Sequence, residues 1–243
     1  MKKIFLLLTI IGAMSLASCD NDKECSLSNY WVEMGTIQKV SPNTQPFFIL
    51  LDNGDKVWPA VTNFPTYNPK EGQRIIAGYS ILTNGSNDYN HDIKLYDVYE
   101  VLTKPVVTLT EANADSIGND PMIITNAWIA SGYLNIEFRF FGYNKRHMVN
   151  LVKSDLFPST PEAANLQFRQ NAYNDEARYQ MSGIVSFNIA LLQVEGATNR
   201  KIMLTYSDPN GESRTIELKY DWSGTSPTIS PITSSKKDYS AVK

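Results

Sequence analysis

Apolar and polar positions alternate with a period of two along most of this chain, the pattern of half-buried β-strands. The plainest stretch runs from Tyr133 to Phe140. Leu134, Ile136, Phe138 and Phe140 fall on one face and Asn135, Glu137 and Arg139 on the other, which predicts an antiparallel strand with one face in a core. Ile202, Leu204 and Tyr206 alternate into Asp208-Pro209-Asn210-Gly211, and Ile216, Leu218, Tyr220 and Trp222 alternate out, which predicts a hairpin. Earlier, Trp31 to Val40, Pro46 to Asp52, Lys56 to Pro59, Gln73 to Thr83 and Asp92 to Thr103 predict five short strands. Gly35 marks a bend or bulge in the first. Asn53-Gly54 joins the second and third, and both residues tolerate the positive φ of a type I′ turn. Pro59, Pro65 and Pro69 exclude a helix from the loop that follows. The chain is therefore all-β, with an OB-like barrel over 30–104 and an antiparallel β-sandwich over 105–222. Lys145 to Lys153 and Gly183 to Leu192 predict further sandwich strands, Thr110 to Pro121 a polar turn-rich passage, and Thr160-Pro161-Glu162 the cap of one helical turn. Residues 223–243, rich in Ser, Thr and Pro, read as a flexible tail.

The amino end carries an address. Met1-Lys2-Lys3 is cationic, and Ile4 to Ala17 is an apolar run of about fourteen residues, short of the roughly 20 that a bilayer-spanning helix needs. Residues 1–18 therefore read as a signal peptide. Leu16-Ala17-Ser18-Cys19 resembles a bacterial lipobox, so Cys19 is the expected lipidation site and the membrane the expected partner of the mature amino end. Several acyl chains on one cysteine make a stable anchor, because each buried methylene contributes about 0.8 kcal/mol. Residues 19–29 form an acidic tether, and Cys25 reads as a thiol of that tether with no role of its own.

Composition narrows the function. Lys and Arg number 22 against 25 Asp and Glu, a net charge of -3, which argues against nucleic acid as a partner. Two Cys and two His supply neither a disulfide framework nor a Cys/His zinc site, and no metal or cofactor is expected. No nucleophile elbow, phosphate loop or dinucleotide fingerprint occurs, so the protein reads as non-enzymatic. His91 reads as a surface or turn residue and His147 as a structural histidine bonded to backbone. Asn171, Asn174, Asp175 and Glu176 read as a tight turn, and Asp208 with Glu212 as hairpin-turn chemistry. OB barrels bind oligosaccharides or nucleic acids on their central strands, which makes Trp58, Tyr67, Tyr79 and Tyr89 candidate stacking platforms. The alternative is that Trp31 and Trp58 fill the barrel core.

Longer strings carry a family resemblance. Tyr30-Trp31-Val32, LLDNGDKVWPA (50–60), EGQRIIAGYSIL (71–82) and DIKLYDVYEVLTK (92–104) resemble the N-terminal OB domain of NigD-like lipoproteins. DSIGNDP (115–121), YLNIEF (133–138), HMVNLV (147–152), LQFRQNAYNDE (166–176) and GIVSFNIALL (183–192) resemble their C-terminal β-sandwich domain. Gln170 departs from the R-H-N-A pattern of that family. The resemblance implies a lipoprotein of Bacteroidota, lipid-anchored in the outer membrane, facing either the periplasm or the exterior. In such a host the acidic stretch Asp20 to Glu24 looks like a surface-export signal, and Asp115-Ser116-Ile117 is similar to an O-glycosylation motif that would modify Ser116. The expected role is a binding or accessory module with another envelope protein as partner. Carbohydrate binding at the cell surface, or immunity linked to a bacteriocin, are the alternatives.

Overall fold

A computed structural model describes residues 30–41, 46–64, 66–85 and 88–223. The signal peptide, Cys19 and its tether, and all of the tail but Ser223 lie outside these residues. The first five strands, β1 (Trp31–Lys39), β2 (Phe47–Leu51), β3 (Lys56–Thr62), β4 (Arg74–Asn84) and β5 (His91–Glu100), close into a barrel of order β1-β2-β3-β5-β4. Inward positions on alternating strands fill it with Ile37, Ile49, Leu51, Val57, Ile75, Ala77, Tyr79, Ile93 and Leu95. Gly35 is not a bulge, since β1 keeps an unbroken register with β2 on one side and β4 on the other. It permits closure instead: a Cβ there would stand 2.7 Å from Ile49 Cγ2 and 2.8 Å from the Leu50 carbonyl oxygen.

The β2–β3 hairpin is not the type I′ turn expected of Asn53-Gly54. The Gly54 N–H bonds to the Leu51 carbonyl and the Leu51 N–H to the Asp55 carbonyl, and only Gly54 has positive φ (95°). That is a three-residue loop, a type I turn closed by a left-handed glycine. The Asp208–Glu212 hairpin repeats it, with Gly211 at φ 79°. The type I′ geometry falls elsewhere, at Ser131 (φ 51°) and Gly132 (φ 79°).

The chain leaves the barrel at Val101 and runs straight into β6 (Leu102–Thr108), which already belongs to the second unit. A one-turn helix α1 (Ala114–Ile117) follows. Then come β7 (Ile123–Ala130), β8 (Tyr133–Gly142), β9 (Met148–Lys153), β10 (Ala163–Asn171), β11 (Tyr179–Asn188), β12 (Asn199–Ser207) and β13 (Ser213–Asp221). The eight strands run in the order β13-β12-β10-β9-β6-β11-β8-β7 and fold over a core built on Phe138, Phe140, Phe168 and Phe187. Most pairs are antiparallel, but β6 runs parallel to both β9 and β11, and β10 parallel to β12. No helical turn follows Thr160. Its hydroxyl accepts the Ala163 N–H at 3.2 Å and the chain enters β10 directly.

The two units meet across a buried polar cluster. Asp52, delivered by the hairpin loop, takes the Arg74 guanidinium in two bonds of 2.5 and 2.7 Å. Arg74 also donates to Thr36 on β1 at 3.0 Å and to Asn135 on β8 at 2.9 Å. From the sandwich, the Trp128 indole N–H donates to Asp52 at 2.8 Å and the Ser186 hydroxyl to Asn135 at 2.6 Å. Met34, Ile76, Val101, Trp128, Ala130 and Ile184 surround the cluster with apolar surface. Asn135 and Glu137 are thus buried, contrary to the solvent face that alternation assigned them. The barrel covers what one sheet alone would leave wet.

Candidate functional site

Alternation along β2 sends Ile49 and Leu51 into the barrel and leaves Phe48 on its outer wall. On β3, Val57 points in and Trp58 out. The connection from β4 to β5 is pinned back onto this wall. The Asn90 side-chain oxygen accepts the Lys56 N–H, and the Asn90 N–H meets the Lys56 carbonyl, both at 2.8 Å. Gly85 makes the return possible, because a Cβ there would fall 2.2 Å from the Tyr89 carbonyl oxygen. The loop therefore sets the Tyr89 ring between Phe48, at 5.5 Å, and Trp58, at 5.1 Å and 35°. All three rings are half-buried, with Lys56, Asp88 and Asn90 exposed beside them.

This ladder occupies the face of strands two and three together with the loop between strands four and five, where OB folds take their ligands. Aromatic faces there stack on the apolar face of a sugar ring, and the flanking amide, ammonium and carboxylate can hydrogen-bond its hydroxyls. Two of the four expected platforms, Trp58 and Tyr89, thus come together. Phe48 was not singled out from the sequence, although alternation with Ile49 and Leu51 already turns it outward.

The other two stand apart. Tyr79 is 3 % exposed in the barrel core, so it is no platform. Its hydroxyl donates to Glu33 at 2.6 Å, and burial, then that carboxylate, push its pKa far above the ordinary tyrosine value. Tyr67 packs edge-on against Phe47, on the opposite side of β2, at 6.1 Å, and burial pushes its pKa up to about 12. Neither tryptophan fills the core: Trp31 is exposed and Trp58 lies on the wall. Ser116 lies exposed on α1, its hydroxyl donating to the Asn113 carbonyl at 2.9 Å.

His91 opens β5, half-buried. His147 is buried as expected, but its partner is a carboxylate rather than backbone. Nε2 lies 3.2 Å from Asp175 Oδ2, which also accepts the Tyr143 N–H at 2.6 Å. Among the described residues, no three His, Cys, Asp or Glu side chains are placed to hold a metal ion.

Residues 34–101 match the model of the NigD-like N-terminal OB domain, and residues 105–220 that of the NigD-like C-terminal beta sandwich domain. Among solved structures, a protein of unknown function from Bacteroides vulgatus is 28 % identical at a TM-score of 0.72, covering 88 % of this chain and all of its own (100 %). A protein from Parabacteroides distasonis described as toxin-related is 32 % identical at a TM-score of 0.70, over 80 % of this chain and 95 % of its own. A NigD-like immunity protein from Bacteroides caccae shares the fold at 19 % identity and a TM-score of 0.60, over 78 % of this chain and 96 % of its own. No curated protein matches the chain.

Proposed function

The chain belongs to the NigD-like family, and from that premise we propose that it is a lipid-anchored, non-enzymatic binding protein of the cell envelope whose barrel wall takes a sugar ring. The carrying observation is the ladder of Phe48, Tyr89 and Trp58, fixed on the ligand face of an OB barrel. Cys19 supplies the anchor, and the acidic residues after it direct the protein toward the outer membrane and its surface. Ser116, exposed on α1, is the glycan acceptor of the mature protein.

An array of bacterial and plant oligosaccharides, probed with residues 20–243, tests the wall. The wild type binds a defined subset, and Trp58→Ala loses it while keeping its circular dichroism and melting temperature. An unfolded Trp58→Ala, or a folded one with undiminished binding, contradicts the reading. Palmitate labelling that marks the wild type and spares Cys19→Ala tests the anchor.

A further inference from the structure

The sandwich carries a second surface, at the end formed by the β8–β9 and β10–β11 connections. These two loops are stapled to each other. Asp175 accepts the N–H groups of Tyr143 and Asn144, at 2.6 and 3.3 Å, and the Lys145 ammonium donates to the carbonyls of Tyr173 and Asn174, at 2.7 and 3.1 Å. Asn171 donates to the Asp115 and Ser116 carbonyls at 3.0 Å, tying in α1. Tyr173 and Asn174 sit at φ 52° and 55°, a conformation that costs free energy outside glycine and that the staple holds.

On this rigid frame the protein exposes large apolar side chains where a monomer would be expected to cover them. Phe141, Tyr143, Met148, Tyr173 and Tyr179 all stand in solvent, Tyr179 at 59 %. Four of the five are held in two groups: Arg178 stacks over Tyr143 at 4.2 Å and Tyr143 lies 6.0 Å from Tyr179, while the Tyr173 hydroxyl reaches the Met148 sulfur at 3.7 Å. Arg139, Lys145, Arg146 and Arg178 are exposed around them, and among the described residues the exposed carboxylates at this end are Glu176, paired with Arg178 at 2.6 Å, and Asp115 on α1. A chain with a net charge of -3 has thus gathered a basic rim at this end. The cleft behind Tyr173, about 560 Å³ and lined also by Asp115, Asp120 and Arg169, is polar and of mixed charge and borders this rim.

Rigid tyrosines and arginines, with little side-chain entropy left to lose, are what binding hot spots are made of. A membrane-surface patch would instead present flexible lysines beside Trp, Phe or Leu. We propose that this end of the sandwich docks a protein whose contact face is apolar at its centre and acidic at its edge. The proposal rests on the reading of the chain as an envelope binding protein, and uses a surface separate from the barrel wall.

The test places a photo-crosslinking phenylalanine analogue at Tyr179 of the full chain in cells, with Leu191, 92 % exposed on the same unit, as control. Position 179 yields one discrete protein adduct that position 191 does not, and mass spectrometry places the cross-link on an acidic surface of that protein. The purified pair then weakens by about tenfold or more in Arg146→Glu/Arg178→Glu, and also weakens with rising salt. Equal adducts at both positions, an adduct with lipid or with a second copy, or affinity unmoved by charge reversal would overturn the proposal. Absence of an adduct while the barrel wall still binds its oligosaccharide overturns the docking proposal and leaves the barrel reading intact.

Discussion

Asp175 shows how much one carboxylate can organise. Burial acts to raise its pKa, but the N–H groups of Tyr143, Asn144 and Lys145 and the ring of His147 overcome that and hold it well below the usual carboxylate range. A carboxyl depressed in the folded state stabilises above its unfolded value of about 4, and that stabilisation drains away as pH falls through the native value. The urea midpoint of the wild type should therefore decline from about pH 4 downward. Asp175→Asn should begin lower at neutral pH and show a flatter acid limb. An acid limb as steep as the wild type's would place the sensitivity elsewhere. Of the residues the sequence marked as a tight turn, Asn174 and Asp175 lie in one, closed by the Asp175 N–H on the Ala172 carbonyl, while Asn171 ends β10 and Glu176 follows the turn. The sequence could not show that His147, some distance away along the chain, would close against Asp175.

Among the strands, legibility followed how many faces each one buries. β1, β2, β4, β8 and the β12–β13 hairpin announce themselves by alternation or apolar runs. β7 and β10 were not assigned, for different reasons: in ITNAWIA small and polar residues interrupt the alternation, whereas AANLQFRQN does alternate, with Ala164, Leu166 and Phe168 turned inward, and only Gln170 puts a polar residue at an inward position. β8 misled in the opposite direction, because its polar face meets the barrel rather than water. Gly35 is where the pattern marked the right residue for a different reason. Its missing Cβ lets β1 close against β2, so Gly35→Ala should cost about 1–3 kcal/mol in chemical denaturation, the usual range for overpacking. A change within a few tenths of a kcal/mol would mean that β2 yields freely.

At the scale of the molecule, the cluster at Asp52 and Arg74 ties the barrel to the sandwich. Sequence alone could not place it, since its six members, Thr36, Asp52, Arg74, Trp128, Asn135 and Ser186, come from six different strands and loops. Asp52→Ala leaves a buried guanidinium without its carboxylate, and should destabilise by about 3–5 kcal/mol. Calorimetry would then show either one lowered transition or two, the barrel parting from the sandwich. An unchanged melting profile would remove the cluster from the account. The central claim is tested most directly by saturation-transfer difference NMR with an oligosaccharide that the protein binds. Irradiating aromatic protons should transfer saturation to the ring protons of the sugar in the wild type, and the transfer should collapse in a folded Trp58→Ala. Undiminished transfer in that variant would contradict the assignment of the barrel wall.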